Sequence, residues 1–362
     1  MHDPLSEYLI ERFDLKSEDH KLYCDVVKTA FLHHKHSQGG TILFDEETFN
    51  IMFGSPYQDK DLFIRAIHKE TGDLVGFVGA IPRHLVYQGK EYKFGVPAWI
   101  SVHYKHQKKG LARAMGIKLL EYGANTARYE GGFVEFDSED HGLEAFDAVF
   151  RGYDYEINDI LSMDKFVVRA FDVKKLSSVI KLQKIEKFGL RLLQKVQKVN
   201  NPLIRKSKPE DHERLYELLQ DHIERNELSV IRDKEDFLWY LQQPGVNCVV
   251  HEDESGAVDG FIIAWKFQLA GFGNAINFGW LDCVHIHRLS SKDASDLCKY
   301  LCVVSKELGW EGLQTPYIPY FDPKPFKKAK FIFYPKKLII SSFKFRPTPI
   351  PKNVKSFYFD WR

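Results

Sequence analysis

Gln107, Gly110 and Ala112 stand between an apolar, strand-like run ending near His103 and an amphipathic segment that begins at Leu111. Leu111, Met115, Leu119 and Tyr122 recur at helical spacing and share one face, which predicts a helix starting near Gly110. The first turn of a helix has unpaired N–H groups and the positive end of the macrodipole. A glycine there removes the Cβ that would hold a phosphate off the backbone. The stretch Gln107-Lys108-Lys109-Gly110-Leu111-Ala112 therefore reads as a diphosphate cradle. Lys105, Lys108 and Lys109 add charge at its lip, suited to a 3′-phosphorylated nucleotide such as coenzyme A.

The same three residues match a known signature: Gln or Arg, two residues, Gly, one residue, then Gly or Ala. With a strand before it and a helix after it, the chain here resembles the GCN5-related N-acetyltransferases (GNAT superfamily). The resemblance implies an α/β fold, a mixed and mostly antiparallel sheet with helices on both faces. It implies acetyl-CoA or another acyl-CoA as co-substrate, no metal, and an amine acceptor that attacks the thioester in a ternary complex. Cofactor contacts are implied at the main chain of Ile100 and Val102 and at Gln107, Lys108, Lys109, Gly110, Leu111 and Ala112. The strand ending at His103 and the strand Gly131–Phe136 are expected to run parallel and splay apart, admitting the pantetheine arm. A modest oxyanion hole from a backbone N–H is expected at the same place.

The family's proton-transfer groups are harder to place. Many members carry a leaving-group Tyr on the helix expected at Gly142–Phe150, where only Phe146 and Phe150 are aromatic. No carboxylate lies between Phe94 and Tyr104, so the candidate general bases are Glu135, Asp137 and Glu139, placed on one face by strand alternation. A solvated strand end is the plain alternative for these three, and His103 is the alternative base.

Behind these residues must stand elements able to hold them. The stretch Leu22 to Phe31 has helical spacing, and three strands, Leu62–His68, Leu74–Val86 and a third ending at His103, deliver the chain to the loop. At 362 residues and 44% hydrophobic content the chain can bury two cores. Lys plus Arg number 51 against 50 acids, a net charge of +1, so there is no nucleic-acid signature. Five cysteines set in apolar runs read as reduced, buried thiols in a cytoplasmic chain. The N-terminal stretch lacks the apolar core of a signal peptide, and no run is apolar and long enough to span a membrane. The cluster His33-His34-Lys35-His36 is a poor metal site, since Lys35 repels a cation.

The second half echoes the first. Glu210-Asp211-His212 repeats Glu18-Asp19-His20, Val258-Asp259-Gly260-Phe261 repeats Leu74-Val75-Gly76-Phe77, and His287 falls where His103 predicts it. We expect two tandem GNAT-like domains: 1–170 binding acyl-CoA, and 207–362, degenerate, completing the acceptor cleft. The second copy reads Arg288-Leu289-Ser290-Ser291-Lys292-Asp293, with a capping box in place of a phosphate loop. Its Cys283, His285 and His287 alternate on one strand face, expected to be packed or pocket-lining. LVGFVGAIP (74–82) and the final FYFDWR (357–362) are similar to segments of protein N-myristoyltransferase, a tandem member of the superfamily. Two departures separate them. The cofactor loop is the ordinary acetyltransferase type, and Arg362 stands short of the terminal carboxylate that enzyme uses as its base.

Between the copies, residues 171–206 form a linker with ten basic residues from Lys174 to Lys206 and the single acid Glu186. It is expected to be an amphipathic helix. One reading is a brace buried between the domains through Leu182, Ile185 and Leu192, which is preferred; the other is a peripheral membrane contact. The whole reads as an acyl-CoA-dependent N-acyltransferase, acetyl by default, acting on a small-molecule or saccharide amine. The alternatives are a longer acyl chain or a non-catalytic acyl-CoA-gated scaffold.

Overall fold

The computed structural model describes residues 3–32, 40–126, 128–137, 149 and 155–362. In chain order the first half runs β1 (Tyr8–Arg12), α1 (His20–Leu32), β2 (Thr41–Leu43), α2 (Glu46–Phe53), β3 (Phe63–His68), β4 (Leu74–Tyr87), β5 (Lys90–Val102), α3 (Leu111–Asn125), β6 (Gly131–Asp137) and β7 (Glu156–Ala170). Two short helices follow, α4 (Val173–Leu176) and α5 (Lys184–Leu193). The second half then runs β8 (Ile204–Lys206), α6 (His212–Arg225), β9 (Leu228–Ile231), α7 (Lys234–Leu241), β10 (Val246–Glu252), β11 (Val258–Gly271), β12 (Asn274–His285), α8 (Ser291–Glu307), β13 (Gly312–Pro316), α9 (Lys324–Lys328) and β14 (Ile332–Lys344), closed by β15 (Phe357–Phe359).

The strands join one sheet whose main path is β1-β3-β4-β5-β6-β14-β7-β13-β12-β11-β10-β8, nearly the same read from either end. Each half lends strands to the other. β14 inserts beside β6, and β7 crosses to pair with β13. The short strands repeat the exchange, β2 pairing with β11 and β9 with β4. Ion pairs follow it too. Lys266 on β11 reaches Asp45, which caps α2, at 2.7 Å, while His84 on β4 reaches Asp233, which precedes α7, at 2.7 Å. The hydrogen bond to Asp233 raises the His84 pKa against the opposing effect of burial.

The hydrophobic core crosses the seam. Phe49, Phe77, Phe94 and Phe133 of the first half belong to one buried cluster with Leu215, Phe237, Phe261 and Phe359 of the second. On the other face, α3 seats Leu111, Met115 and Leu119 on Val75 and Val78, as the spacing predicts. α8 seats Leu297, Leu301 and Val304 on Val249 and Ile262 in the same manner. All five cysteines are free and buried. Among the described residues no helix is long and apolar enough to cross a membrane.

The linker differs from expectation. In place of one long helix it forms α4, α5 and irregular chain, and the predicted brace is overturned at two of its three residues. Ile185 is 76% exposed and Leu192 64%, with Leu182 half-buried. The reason is geometric: apolar residues occupy more than one side of α5, and Leu190 is the one that turns inward.

Candidate functional site

β5 carries the cradle. Its register on β4 pairs Phe77 with Ser101 and then Gly79 with Ala98, so Trp99 and Ile100 together lie opposite Val78. This is a β-bulge, and Trp99 holds φ +58°, a conformation unusual for a large L-residue. Trp99 is fixed there by Phe44 and Phe31, at ring separations of 4.1 and 5.4 Å. β5 and β6 run parallel but pair only at Phe94–Gly131 and Gly95–Gly132. Beyond those two pairs they diverge, so Val96 to Val102 has no strand partner on the β6 side, which is the expected splay.

The loop then enters α3 through Gly110, at φ +86° with no side-chain cap. A Cβ there would meet nothing nearer than 4.0 Å, so the left-handed backbone calls for glycine, not crowding. The first N–H groups of α3 face the loop without a side chain over them. The Gln107 amide donates to the Val102 carbonyl at 3.0 Å, tying the loop to the end of β5. Lys109 reaches Glu7 at 3.2 Å and lies over the Tyr8 ring, whereas Lys108 is exposed. Leu111 is buried and Ile100 and Ala112 half-buried beside it.

Glu135 lies on β6 across the splay from the bulge. By alternation it shares a face with Phe133, which packs on Phe94, Phe357 and Phe359 between the halves. Val134 points the other way, toward Leu120 of α3. Water reaches the Glu135 side chain, yet protein encloses it, and this burial pushes its carboxyl up to about 8. A pKa raised in this direction suits a general base. Asp137 ends β6 opposite Leu338, the limit of what is described of it. Glu139, the expected helix at Gly142–Phe150 apart from the buried Val149, and His33 to His36 lie outside the described residues. His103 starts the turn after β5 and accepts from the Lys105 N–H at 3.4 Å.

The second half has the same scaffold with a filled site. β12 and β13 run parallel and pair only at Gly279–Leu313 and Trp280–Gln314. The β11–β12 register slips between Ile263–Cys283 and Ala264–Leu281, leaving a bulge at Asp282. That carboxylate is buried, taking Arg232 at 2.8 Å and the Trp361 N–H at 3.0 Å. At α8 the Ser290 hydroxyl accepts from the Asp293 N–H at 3.2 Å, closing the helix start as expected. His285 and His287 approach Asp221 at 2.9 and 3.4 Å, an arrangement a metal could use, but Arg288 already holds Asp221 at 2.6 Å. Burial pushes His287 down to about 4, with His285 beside it adding to the effect. Cys283 turns elsewhere, toward His222 at 3.7 Å.

Sequence reasoning missed the charged seam. Arg83, Arg232 and Arg362 lie buried with Asp236, Asp282 and Asp360 where the halves meet. Arg362 donates to Asp236 at 2.5 Å, and Arg232 to Asp360 at 2.5 Å. Burial, together with Arg232 and Arg362, pushes Arg83 down to about 9. The available signal was charge inside apolar sequence: Asp282 in GWLDCV, and Asp360 and Arg362 in FYFDWR.

Comparison with known proteins fits this geometry. Residues 14–127 match the family model of the acetyltransferase (GNAT) domain, a span that contains β5, the cradle and α3. No curated protein sequence matches the chain. A structure of Saccharomyces cerevisiae N-myristoyltransferase with bound myristoyl-CoA superposes at TM-score 0.76 and 18% identity, covering 96% of this chain and 85% of that one. A second gives TM-score 0.75 at 19% identity, covering 95% and 80%. A third, with myristoyl-CoA and inhibitors, gives 0.74 at 19%, covering 95% and 82%. Residues 14–127, around the open start of α3, thus match a GNAT acetyltransferase domain, and along nearly its whole length the chain has the fold seen in N-myristoyltransferase.

Proposed function

We propose that this protein is an acyl-CoA-dependent N-acyltransferase whose site lies in the first half, between the β5 bulge and Glu135. The observation that carries the reading is the splay of β5 from β6, which opens directly onto the uncapped, glycine-entered start of α3. Ile100, Val102 and the loop from Gln107 to Ala112 would hold the coenzyme through main-chain groups, with Lys108 and Lys109 supplying charge. An acceptor amine then attacks the thioester carbon, the carbon–sulfur bond breaks, and the amine proton passes to Glu135, directly or through water. Asp137 and Glu139, the other two carboxylates of the sequence pattern, are the alternative bases. The raised pKa of Glu135 favours this over a scaffold that merely binds acyl-CoA.

Acetyl is the default acyl group. One observation favours a longer chain: the likeness to N-myristoyltransferase runs through both halves, far beyond the domain match that ends at residue 127. The acceptor class is a small-molecule or saccharide amine, with no nucleic acid, and the free buried thiols fit a cytoplasmic setting. Units 1–170, 171–206 and 207–362 describe the chain's organisation, though strand exchange argues against either half folding alone. The test is release of free coenzyme A thiol from acetyl-CoA and from myristoyl-CoA, with and without amine acceptors. Acceptor-dependent release from either donor is expected; binding of both with release from neither would leave the scaffold reading standing.

A further inference from the structure

α5 is a helix turned inside out. Leu190 anchors it, Gln194 accepts from the Val173 N–H at 3.2 Å, and buried Arg169 donates to the Lys195 carbonyl at 3.1 Å, so it is fixed to the body of the protein. Its outer face carries Ile185, Phe188 and Leu192, which are 76%, 64% and 64% exposed. Their spacing of three and four residues makes one continuous apolar ridge. Lys184, Lys187 and Arg191 flank the ridge, with Lys181, Lys195 and Lys198 just beyond the helix. The single acid of the helix, Glu186, is engaged in its cap, accepting from the Gln183 N–H at 2.6 Å.

A cavity of about 350 Å³ opens at the C-terminal end of the same helix, lined by Lys174, Arg191, Lys195 and Lys306 with Phe171, Asp172 and Gln194. None of those four cations has a carboxylate within ion-pairing distance among the described residues. Asp172 accepts from the Lys174 and Lys175 N–H groups at 2.8 and 3.0 Å, capping α4. Close by, Asn274 donates to the Ser178 carbonyl at 3.3 Å, holding the β11–β12 hairpin, whose tip exposes Phe272, against this segment.

An apolar ridge bordered by cations matches one environment in both its parts, the boundary between acyl chains and anionic headgroups. We infer that α5 and its cavity form a docking face for an anionic bilayer. Ile185, Phe188 and Leu192 enter the acyl boundary, and Lys174, Arg191, Lys195 and Lys306 take a headgroup phosphate. The inference stands apart from acyl transfer, since it uses none of the residues of the cradle or of β6.

The test uses the full chain and vesicles of three parts phosphatidylcholine to one part phosphatidylglycerol, against phosphatidylcholine alone. Co-sedimentation is expected with the anionic vesicles only, fading as salt shortens the Debye length. The double variant Arg191→Ala/Lys195→Ala should weaken it about fivefold per cation. The triple variant Ile185→Ser/Phe188→Ser/Leu192→Ser should weaken it by about tenfold or more, with thermal midpoint unchanged because these side chains are exposed. A Phe188→Trp reporter should shift its emission to the blue on vesicles. Any of three results overturns the inference: no sedimentation at low salt, sedimentation undiminished in the triple variant, or a parent chain that is dimeric while the triple variant is monomeric. Glycerol 3-phosphate binding as tight as vesicle binding would also overturn it, by assigning the cavity to a soluble anion.

Discussion

Two helices, α3 and α8, occupy the same place in the two halves, each following a bulged strand that splays from its parallel neighbour. They differ at a single turn. α3 begins on Gly110 with no side chain over its N–H groups, whereas α8 begins on Ser290, whose hydroxyl takes the Asp293 N–H. The strands differ in the same sense: Trp99 and Ile100 bring only backbone to their bulge, while Asp282 brings a carboxylate already held by Arg232 and Trp361. One scaffold thus occurs twice, once with its helix start open and once with it capped. What makes a helix N-terminus a binding site is the absence of a competing acceptor.

The sharpest way to break the contrast is to plug the open helix. Gly110→Asp puts an acceptor and a negative charge where α8 has Ser290; the left-handed backbone at φ +86° strains any side chain there, so a Gly110→Asn chain, equally strained but uncharged, is the control and should keep more of the binding. Coenzyme A binding should be lost by calorimetry, a cost on the order of several kcal/mol for a charge-assisted site. The parent should bind once per chain. Two equivalent sites, or undiminished binding by the variant, would remove the distinction between the halves.

Emptying the filled bulge should be costly in a different currency. Asp282 is 1% exposed, and Asp282→Ala leaves buried Arg232 with one carboxylate fewer and the Trp361 N–H without an acceptor. Breaking a buried pair costs about 3–5 kcal/mol. Urea unfolding should show that loss with coenzyme A affinity little changed. A near-neutral result would mean that water can replace the carboxylate, and that the second bulge is less committed than its contacts indicate.

Much of this contrast was legible from one-dimensional pattern. Periodicity placed α3, glycine placed its open start, and the Ser-x-x-Asp spacing at 290 placed the closed one, because each is local chemistry. The repeat suggested two halves but gave no hint that β7 and β14 change places, since strand exchange alters partners without altering the pattern of buried residues. The linker failed for a related reason. Periodicity finds an apolar stripe, but whether protein covers it depends on elements distant in sequence, and Ile185, Phe188 and Leu192 are left uncovered. Glu135 was chosen by alternation alone; its raised pKa comes from the protein enclosing it, and no spacing encodes that.

The cleft itself offers a smaller effect. Glu135→Gln should lower turnover by about 10² while coenzyme A affinity stays nearly constant. In the parent, kcat/KM should rise with pH through about 8, where Glu135 ionises, and the variant's profile should lose that limb. Stability gives an independent sign. A carboxyl whose folded pKa is raised contributes stability that is present at acid pH and lost as pH rises through about 8. Glu135→Gln should therefore raise the thermal midpoint at pH 8 and leave it unchanged at pH 4. Equal midpoint shifts at both would place the residue in ordinary solvent and return the base to Asp137, Glu139 or His103.

The smallest effect tests whether opening a helix is enough to make a site. Ser290→Ala removes the hydroxyl that caps α8 and should destabilise the protein by about 1 kcal/mol, the usual worth of an N-cap. It should not create a second coenzyme A site. The Asp293 carboxylate remains in the first turn and repels phosphate, and Ala at 290 keeps φ near −61° instead of the left-handed turn that Gly110 uses to swing the loop clear at φ +86°. Lys328 bonded to the Ser291 hydroxyl at 2.9 Å further occupies the approach. Calorimetry of the Ser290→Ala chain should still count one site, and unfolding should show the lost cap. A second site appearing on this substitution alone would mean that the Ser290 hydroxyl was the whole difference between the two halves.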